Sequence, residues 1–267
     1  MRENEMLLAN KNAIIYGAGG FIGGAVAANF AREGARVFLA GRTRDKLAAI
    51  ADEITGAGGR AEVAVVDVMD EQAVDEHTQS VVDAAGAIDV SFNLATRGDV
   101  QGIPLIDMTT ADFTRPVVTG LTANFITARA AARHMVKRGS GVVLALDSGS
   151  AGGSPMMGGT GPADGALDSF IRNLAAETGP RGVRAVGIWT AGLPETLSPE
   201  RIAEFSGTPQ MDDAAFEGLI KNLDQMRMTN RSPRLAEVAA TATFLASDHA
   251  AAITGTWVNT SSGMFPG

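Results

Sequence analysis

Asn12-Ala-Ile-Ile-Tyr16 runs without a break into Gly17-Ala-Gly-Gly-Phe-Ile-Gly-Gly24 and then into the helical Ala25-Val-Ala-Ala-Asn-Phe-Ala-Arg32. A short apolar run, a glycine turn and a helix in that order open a nucleotide-binding strand–helix–strand unit. The turn needs glycine because the backbone must come close to a pyrophosphate. The free N–H groups at the helix start then meet the phosphate charge.

Six more short apolar runs follow, so the set is 13–15, 37–40, 63–66, 88–92, 142–146, 183–188 and 256–258. They are rich in Val and Ile and nearly continuous, as strands buried on both faces are. Helical periodicity fills the gaps at about 20–33, 43–56, 70–84, 110–137, 161–178 and 234–247. This alternation predicts an α/β fold of the Rossmann type: a doubly wound parallel sheet of about seven strands with helices on both faces. The rhythm breaks at 193–232, which carries Pro194, Pro199 and Pro209 and then a helical piece at 212–228 with Phe216, Leu219, Ile220, Leu223 and Met226. An insertion of that length between the last two strands reads as a lid or pocket wall, with a pair of packing helices as the alternative. No linker, repeat or low-complexity tract divides residues 1–267, so a single domain is expected.

Composition narrows the function. The absence of cysteine excludes disulfides, thiolate catalysis and cysteine metal sites, and fits a reducing cytoplasm. Three scattered histidines, His77, His134 and His249, give no metal site. A net charge of -8 argues against a nucleic-acid partner, because phosphate backbones need clustered Lys and Arg. No stretch approaches the ~20 apolar residues of a membrane span, and the acidic start of the chain does not read as a secretory signal. Glycine is abundant, 32 residues of 267, which points to tight turns and close backbone approaches.

The second apolar run ends at Gly41 without the acid that would take a ribose 2′-hydroxyl; Arg42 follows at once and Arg44 soon after. An acid there repels a 2′-phosphate, whereas arginine pairs with it bidentately. NADP(H) is therefore the expected cofactor, with NAD(H) as the second choice.

Across almost its whole length the chain resembles the short-chain dehydrogenase/reductase family. Gly17-x-x-Gly20-x-x-Gly23, with Phe21-Ile22 inside it, is similar to the turn of the extended branch; the size and the other motifs are similar to the short branch. Those motifs are Asp67-Val68, Asn93-x-Ala95, Gly192 with Thr196, Arg234-Leu-Ala-Glu-Val238, and Thr254-Gly-Thr-Trp-Val-Asn259 followed by Gly263. The resemblance implies that Asp67 accepts from the adenine amino group with Val68 beside the ring. It further implies that Asn93 and Ala95 line the floor under the cofactor, and that Thr196 holds the nicotinamide carboxamide. It also implies a homotetramer, for which the stripe Ala123, Ala128, Ala131 and Ala132 would allow close helix contact between subunits. By the same resemblance His134 is structural.

Chemistry is where the chain departs from the family. A tyrosine normally protonates the new alkoxide, its pKa lowered by a lysine four residues on, with a serine and an asparagine in support. Counting back from Leu174-Ala-Ala-Glu177 puts Thr160 at the tyrosine position and Asp164 at the lysine position. The serine position falls on Asp147 or Ser148, and the asparagine position on Gly120. The only tyrosine in the chain is Tyr16, in the first strand. A threonine hydroxyl is far too weak an acid to replace a phenol. Asp164 or Asp147, if buried against Met156 and Met157, is the group expected to hold a proton near neutrality. Ser148 and Ser150 have no histidine placed to activate them, so a serine hydrolase is not supported. Two readings follow. One is an NADP(H)-dependent oxidoreductase that transfers hydride to a carbonyl, imine or activated substrate with a non-standard proton donor. The other is a non-redox protein on the same scaffold: a cofactor-binding sensor, a partner subunit or a pseudoenzyme. The small-molecule substrate is not specified by the sequence.

Overall fold

The computed structural model describes residues 6–206 and 209–264, with the backbone alone at Phe205. The remaining residues of the expected span, 1–5, 207–208 and 265–267, lie outside the described residues. The strands are β1 (Asn12–Tyr16), β2 (Arg36–Gly41), β3 (Arg60–Val65), β4 (Val90–Asn93), β5 (Gly141–Asp147), β6 (Val183–Trp189) and β7 (Thr256–Asn259). All neighbours pair in parallel, in the order β3-β2-β1-β4-β5-β6-β7.

Between the strands run α1 (Phe21–Arg32), α2 (Arg44–Gly56), α3 (Glu71–Ala85), α4 (Thr110–Arg138), α5 (Thr160–Thr178), then α6 (Pro199–Ser206), α7 (Asp213–Gln225) and α8 (Leu235–Ala246). Adjacent strand residues point to opposite faces, and β1 divides accordingly. Ile15 joins Val26 and Phe30 of α1 and Val238 and Leu245 of α8 in one core. Ile14 joins Val74 and Val81 of α3, Ile126 of α4 and Leu167 of α5 in the other. Helices thus cover both faces.

Differences from the expected elements have local causes. Strand β3 begins three residues early because it is an edge strand, and its outward Arg60 and Glu62 mask the apolar pattern. Strand β4 begins at Val90, since Asp89 bonds across to Asn12 and Val142 outside the ladder. The short α6 was not anticipated, and α7 starts after Asp212, which caps it through Ala215 N–H. Asp70 caps α3 through Ala73 N–H, as a strand-end acid before a helix does. The alanine stripe of α4 is turned the other way from expectation. Ala123, Ala128, Ala131 and Ala132 are buried within this chain, so they pack α4 onto its own core and present no subunit surface. Among the described residues no helix is long and apolar enough to cross a membrane.

Strand order reverses between β1 and β4. The chain leaves β1 toward β2 on one side and leaves β4 toward β5 on the other, so a crevice opens beyond the carboxyl ends of those two strands. Tyr16 sits opposite Asn93 in register there.

Candidate active site

A cleft of about 1000 Å³ occupies that switch point. Its floor is the glycine turn. Gly17 has φ +74°, and a Cβ on it would lie 2.5 Å from the Leu94 carbonyl, so the turn closes on β4's exit only with glycine. A Cβ on Gly23 would meet Gly17 O at 2.3 Å, which seats α1 directly on the turn. Gly20 offers no side chain to cap α1. The N–H groups at the start of that helix are therefore left for a ligand. An anion held close to bare backbone is what this cradle fits, so the residues present suit a dinucleotide.

The expected cofactor residues largely converge here. Gly17, Gly20, Phe21, Ile22, Gly23, Arg42, Asp67, Val68, Ala95 and Thr196 all line the cleft. Arg44 does not, and Lys46, one helical turn beyond Arg42, does. Neither Arg42 nor Lys46 has an ion-pair partner among the described residues. Asp67 Oδ1 accepts from Met69 N–H at 3.0 Å, which fixes the turn after β3. Asn93 is a shaping residue behind the wall. It is buried, and its amide oxygen accepts from Ala95 N–H at 3.1 Å. Thr196 opens the insertion and donates to Leu193 O at 2.8 Å. Thr96 also lines the cleft, as do Met69, Thr119 and Arg201, which were not anticipated.

The four expected reactive positions are not among the residues that line the cleft; they come together around Asp164 in a cluster where Asp147, Thr160 and Asp164 are buried. Strand β5 ends on Asp147 with Ser148 just past it, and the start of α5 carries Thr160 and Asp164 on one face, four residues apart. Asp164 is fully buried. Its Oδ2 accepts from Ser148 Oγ at 2.5 Å, Ser150 N–H at 2.9 Å and Ser150 Oγ at 2.8 Å. Arg97 Nη1 lies 2.7 Å from its Oδ1. Arg97 Nε also donates to both oxygens of Asp99, at 2.9 and 3.0 Å. Thr160 Oγ1 donates to Asp99 Oδ1 at 2.8 Å and accepts from Gln101 Nε2 at 3.2 Å.

Arg97 was missed from sequence, and among the described residues it is the cation that pairs with both Asp99 and Asp164 in this network. Gly120 makes room for it: a Cβ at 120 would stand 3.0 Å from Arg97 Cδ and 3.3 Å from its Cβ. Burial opposes the guanidinium charge, but Asp99 and Asp164 outweigh it and hold its pKa above the ordinary value. Arg97 follows Thr96 and Gly120 follows Thr119, so the network adjoins the cleft through both. The visible signal was a cation two residues past Asn93-x-Ala95 together with a glycine where the resemblance expects a side chain.

Asp147 is buried and accepts from Gly149 N–H at 2.8 Å through Oδ1. Burial above all, then the neighbouring Asp164 and Asp168, push its pKa up to about 9. Asp168 is also raised by burial, with the bond from Trp189 Nε1 pulling the other way. The expected apolar cover from Met156 is not the cause, because Met156 is 48 % exposed. Tyr16 is buried in the core, its hydroxyl without a hydrogen-bond partner among the described residues and its pKa raised by that burial.

Comparison with known proteins places this geometry. The family model described as enoyl-(acyl carrier protein) reductase matches residues 17–264. The chain belongs to the short-chain dehydrogenase/reductase family. Among its members, L-rhamnose 1-dehydrogenase (NAD(P)(+)) of Azotobacter vinelandii is 32% identical over 271 residues, 97% of this chain and 98% of the relative. The 7alpha-hydroxysteroid dehydrogenase of Escherichia coli is 30% identical over 203 residues, covering 74% and 78% of the two chains. The solved structure of an NAD+-bound xylitol dehydrogenase superposes with a TM-score of 0.85 at 25% identity, covering 96% of this chain and 99% of that one. This family member thus has oxidoreductases as relatives and a nucleotide-bound dehydrogenase as a structural neighbour.

Proposed function

We propose that this family member is an NADP(H)-dependent oxidoreductase that passes hydride to a carbonyl, imine or similarly activated carbon without a tyrosine–lysine pair. When bound, the nicotinamide nucleotide supplies the hydride. The glycine turn, Asp67, Val68, Ala95 and Thr196 hold it, with Asn93 shaping the wall and Arg42 taking the 2′-phosphate.

The observation that carries the reading is the direction of the hydrogen bonds at the reactive end. Ser148 and Thr160 both direct their hydroxyl protons at carboxylates, Asp164 and Asp99. A ketone reduced to an alkoxide requires a proton, and neither hydroxyl has one to spare. An iminium ion requires none, because hydride on its carbon turns the C=N electron pair into the nitrogen lone pair of a neutral amine. Iminium ions and strongly activated carbonyls are therefore the favoured substrates, and simple ketones react poorly. If the protein supplies a proton, Asp147 is the better source. Asp164 is engaged as an acceptor by three hydrogen bonds and a guanidinium.

The test is a titration with NADPH and NADH, followed by NADPH oxidation with a cyclic iminium salt and with the ketone of the same shape. Iminium turnover at least about a hundredfold faster supports the reading. Fast ketone turnover would sink it. The same saturated hydroxyls favour a non-redox role as second reading, and tight NADPH binding with no turnover of any substrate would select that one.

A further inference from the structure

The insertion sends a single arginine back over the glycine turn. Arg201, at the start of α6, lines the cleft, and its guanidinium carbon lies 4.8 Å from the centroid of the Phe21 ring. Phe21 is the first residue of α1 and is half-exposed. Arg201 is exposed and has no carboxylate partner among the described residues. The guanidinium thus faces the same stretch of cleft as the uncapped start of α1. Two sources of positive potential converge there, one from backbone N–H groups and one from the insertion. The other cations lining the cleft, Arg42 and Lys46, follow β2 at the adenosine end.

We propose that Arg201 is a diphosphate-binding residue. It closes the insertion over the bridging phosphates of the dinucleotide and is parked on Phe21 by a cation–π contact when no phosphate is present. This rests on the nucleotide reading above and adds a residue that neither the glycine motif nor the family resemblance supplies. The chemistry fits: a guanidinium takes phosphate oxygens bidentately, and a weak stacking contact is readily exchanged for a charge-assisted one. The insertion is anchored independently. Arg227 donates to Ala191 O at 2.8 Å and Gly192 O at 3.2 Å, and Glu195 pairs with Arg234 at 3.2 Å. Removal of Arg201 therefore leaves those anchors in place.

The experiment measures dissociation constants by calorimetry for NADPH and for adenosine 2′-monophosphate, which has the 2′-phosphate and no diphosphate. Arg201→Ala should weaken NADPH about tenfold and leave adenosine 2′-monophosphate unchanged. Arg201→Lys, which keeps the charge and loses the fork, should fall between. In the same variant NADPH should no longer slow proteolysis within 193–232. NADPH affinity within twofold of wild type in Arg201→Ala would overturn the proposal, as would equal losses for the two ligands. A wild-type protein that binds neither NADPH nor NADH would instead bring down the nucleotide reading, and this proposal with it.

Discussion

Two residues give the sharpest tests because each stands nearly alone in its role. Arg42 is exposed on the cleft wall just past β2, a strand that ends on Gly41 and not on an acid that would repel a 2′-phosphate. Arg42→Ala should weaken NADPH by about tenfold or more and NADH by less than twofold, read by fluorescence titration; equal losses would remove Arg42 from that role. Asp147 tests the buried end. Its folded pKa of about 9 lies above its ordinary carboxylate value, so the folded chain keeps a proton that the unfolded chain releases. Its contribution to stability is then fully present below about pH 4 and is lost as pH rises toward 9. Asp147→Asn should flatten that dependence. It should raise Tm at pH 8 by about 3 °C or more and change little at pH 4. A variant less stable than wild type at pH 8 would mean that Asp147 is ionised there and well paired.

At the scale of elements, the parts legible in the sequence were those set by neighbours along the chain. The glycine turn could be read because strand, turn and helix start are contiguous and Gly23 is required by its contact with Gly17 inside the turn, although the contact that requires Gly17 is with Leu94, distant in sequence. Central strands could be read because both their faces are buried, while edge strand β3 was blurred by outward Arg60 and Glu62. The reactive network could not be read in full, since Arg97, Asp99, Gly120, Ser148 and Asp164 come from separate loops and helices and meet only after folding. Of the insertion's two helices, α7 was legible as the helical piece at 212–228, whereas the position of α6 was not, because it is only eight residues long and opens on a proline. No residue of α7 is buried, which places that helix at the low end of local stability. Limited proteolysis of the free protein should therefore cut first between 198 and 225, inside the anchors at Arg227 and Glu195. NADPH with a substrate analogue should slow that cut severalfold. Cleavage indifferent to both ligands would make the stretch a packing segment and not a lid.

For the whole molecule, the question is what covers the outer surface of α4 and α5. The inward alanines remove the original reason for expecting subunit contact, but the outward side supplies another. Val118 is 60 % exposed and Phe125 45 %, and Phe125 meets Phe170 of α5 edge-on with centroids 6.1 Å apart. Arg129 lies over the Phe125 ring and pairs with Glu71, so the apolar pair has a charged border. Phe244 on α8 is a separate exposed aromatic. An exposed aromatic and valine beside a partly buried phenylalanine, with a charged border, are the kind of surface that closed, two-fold assemblies bury. Light scattering at micromolar concentration should give about four times the 27.5 kDa of one chain. Phe125→Glu places a charge at the centre of the α4–α5 patch. It should lower the assembly to dimer or monomer while NADPH binding is retained, because the cleft lies at the strand ends and none of its lining residues is on this patch. A wild-type monomer at that concentration would refute the assembly. A tetramer unmoved by Phe125→Glu would place the interface elsewhere, with Phe244 and α8 the next surface to change.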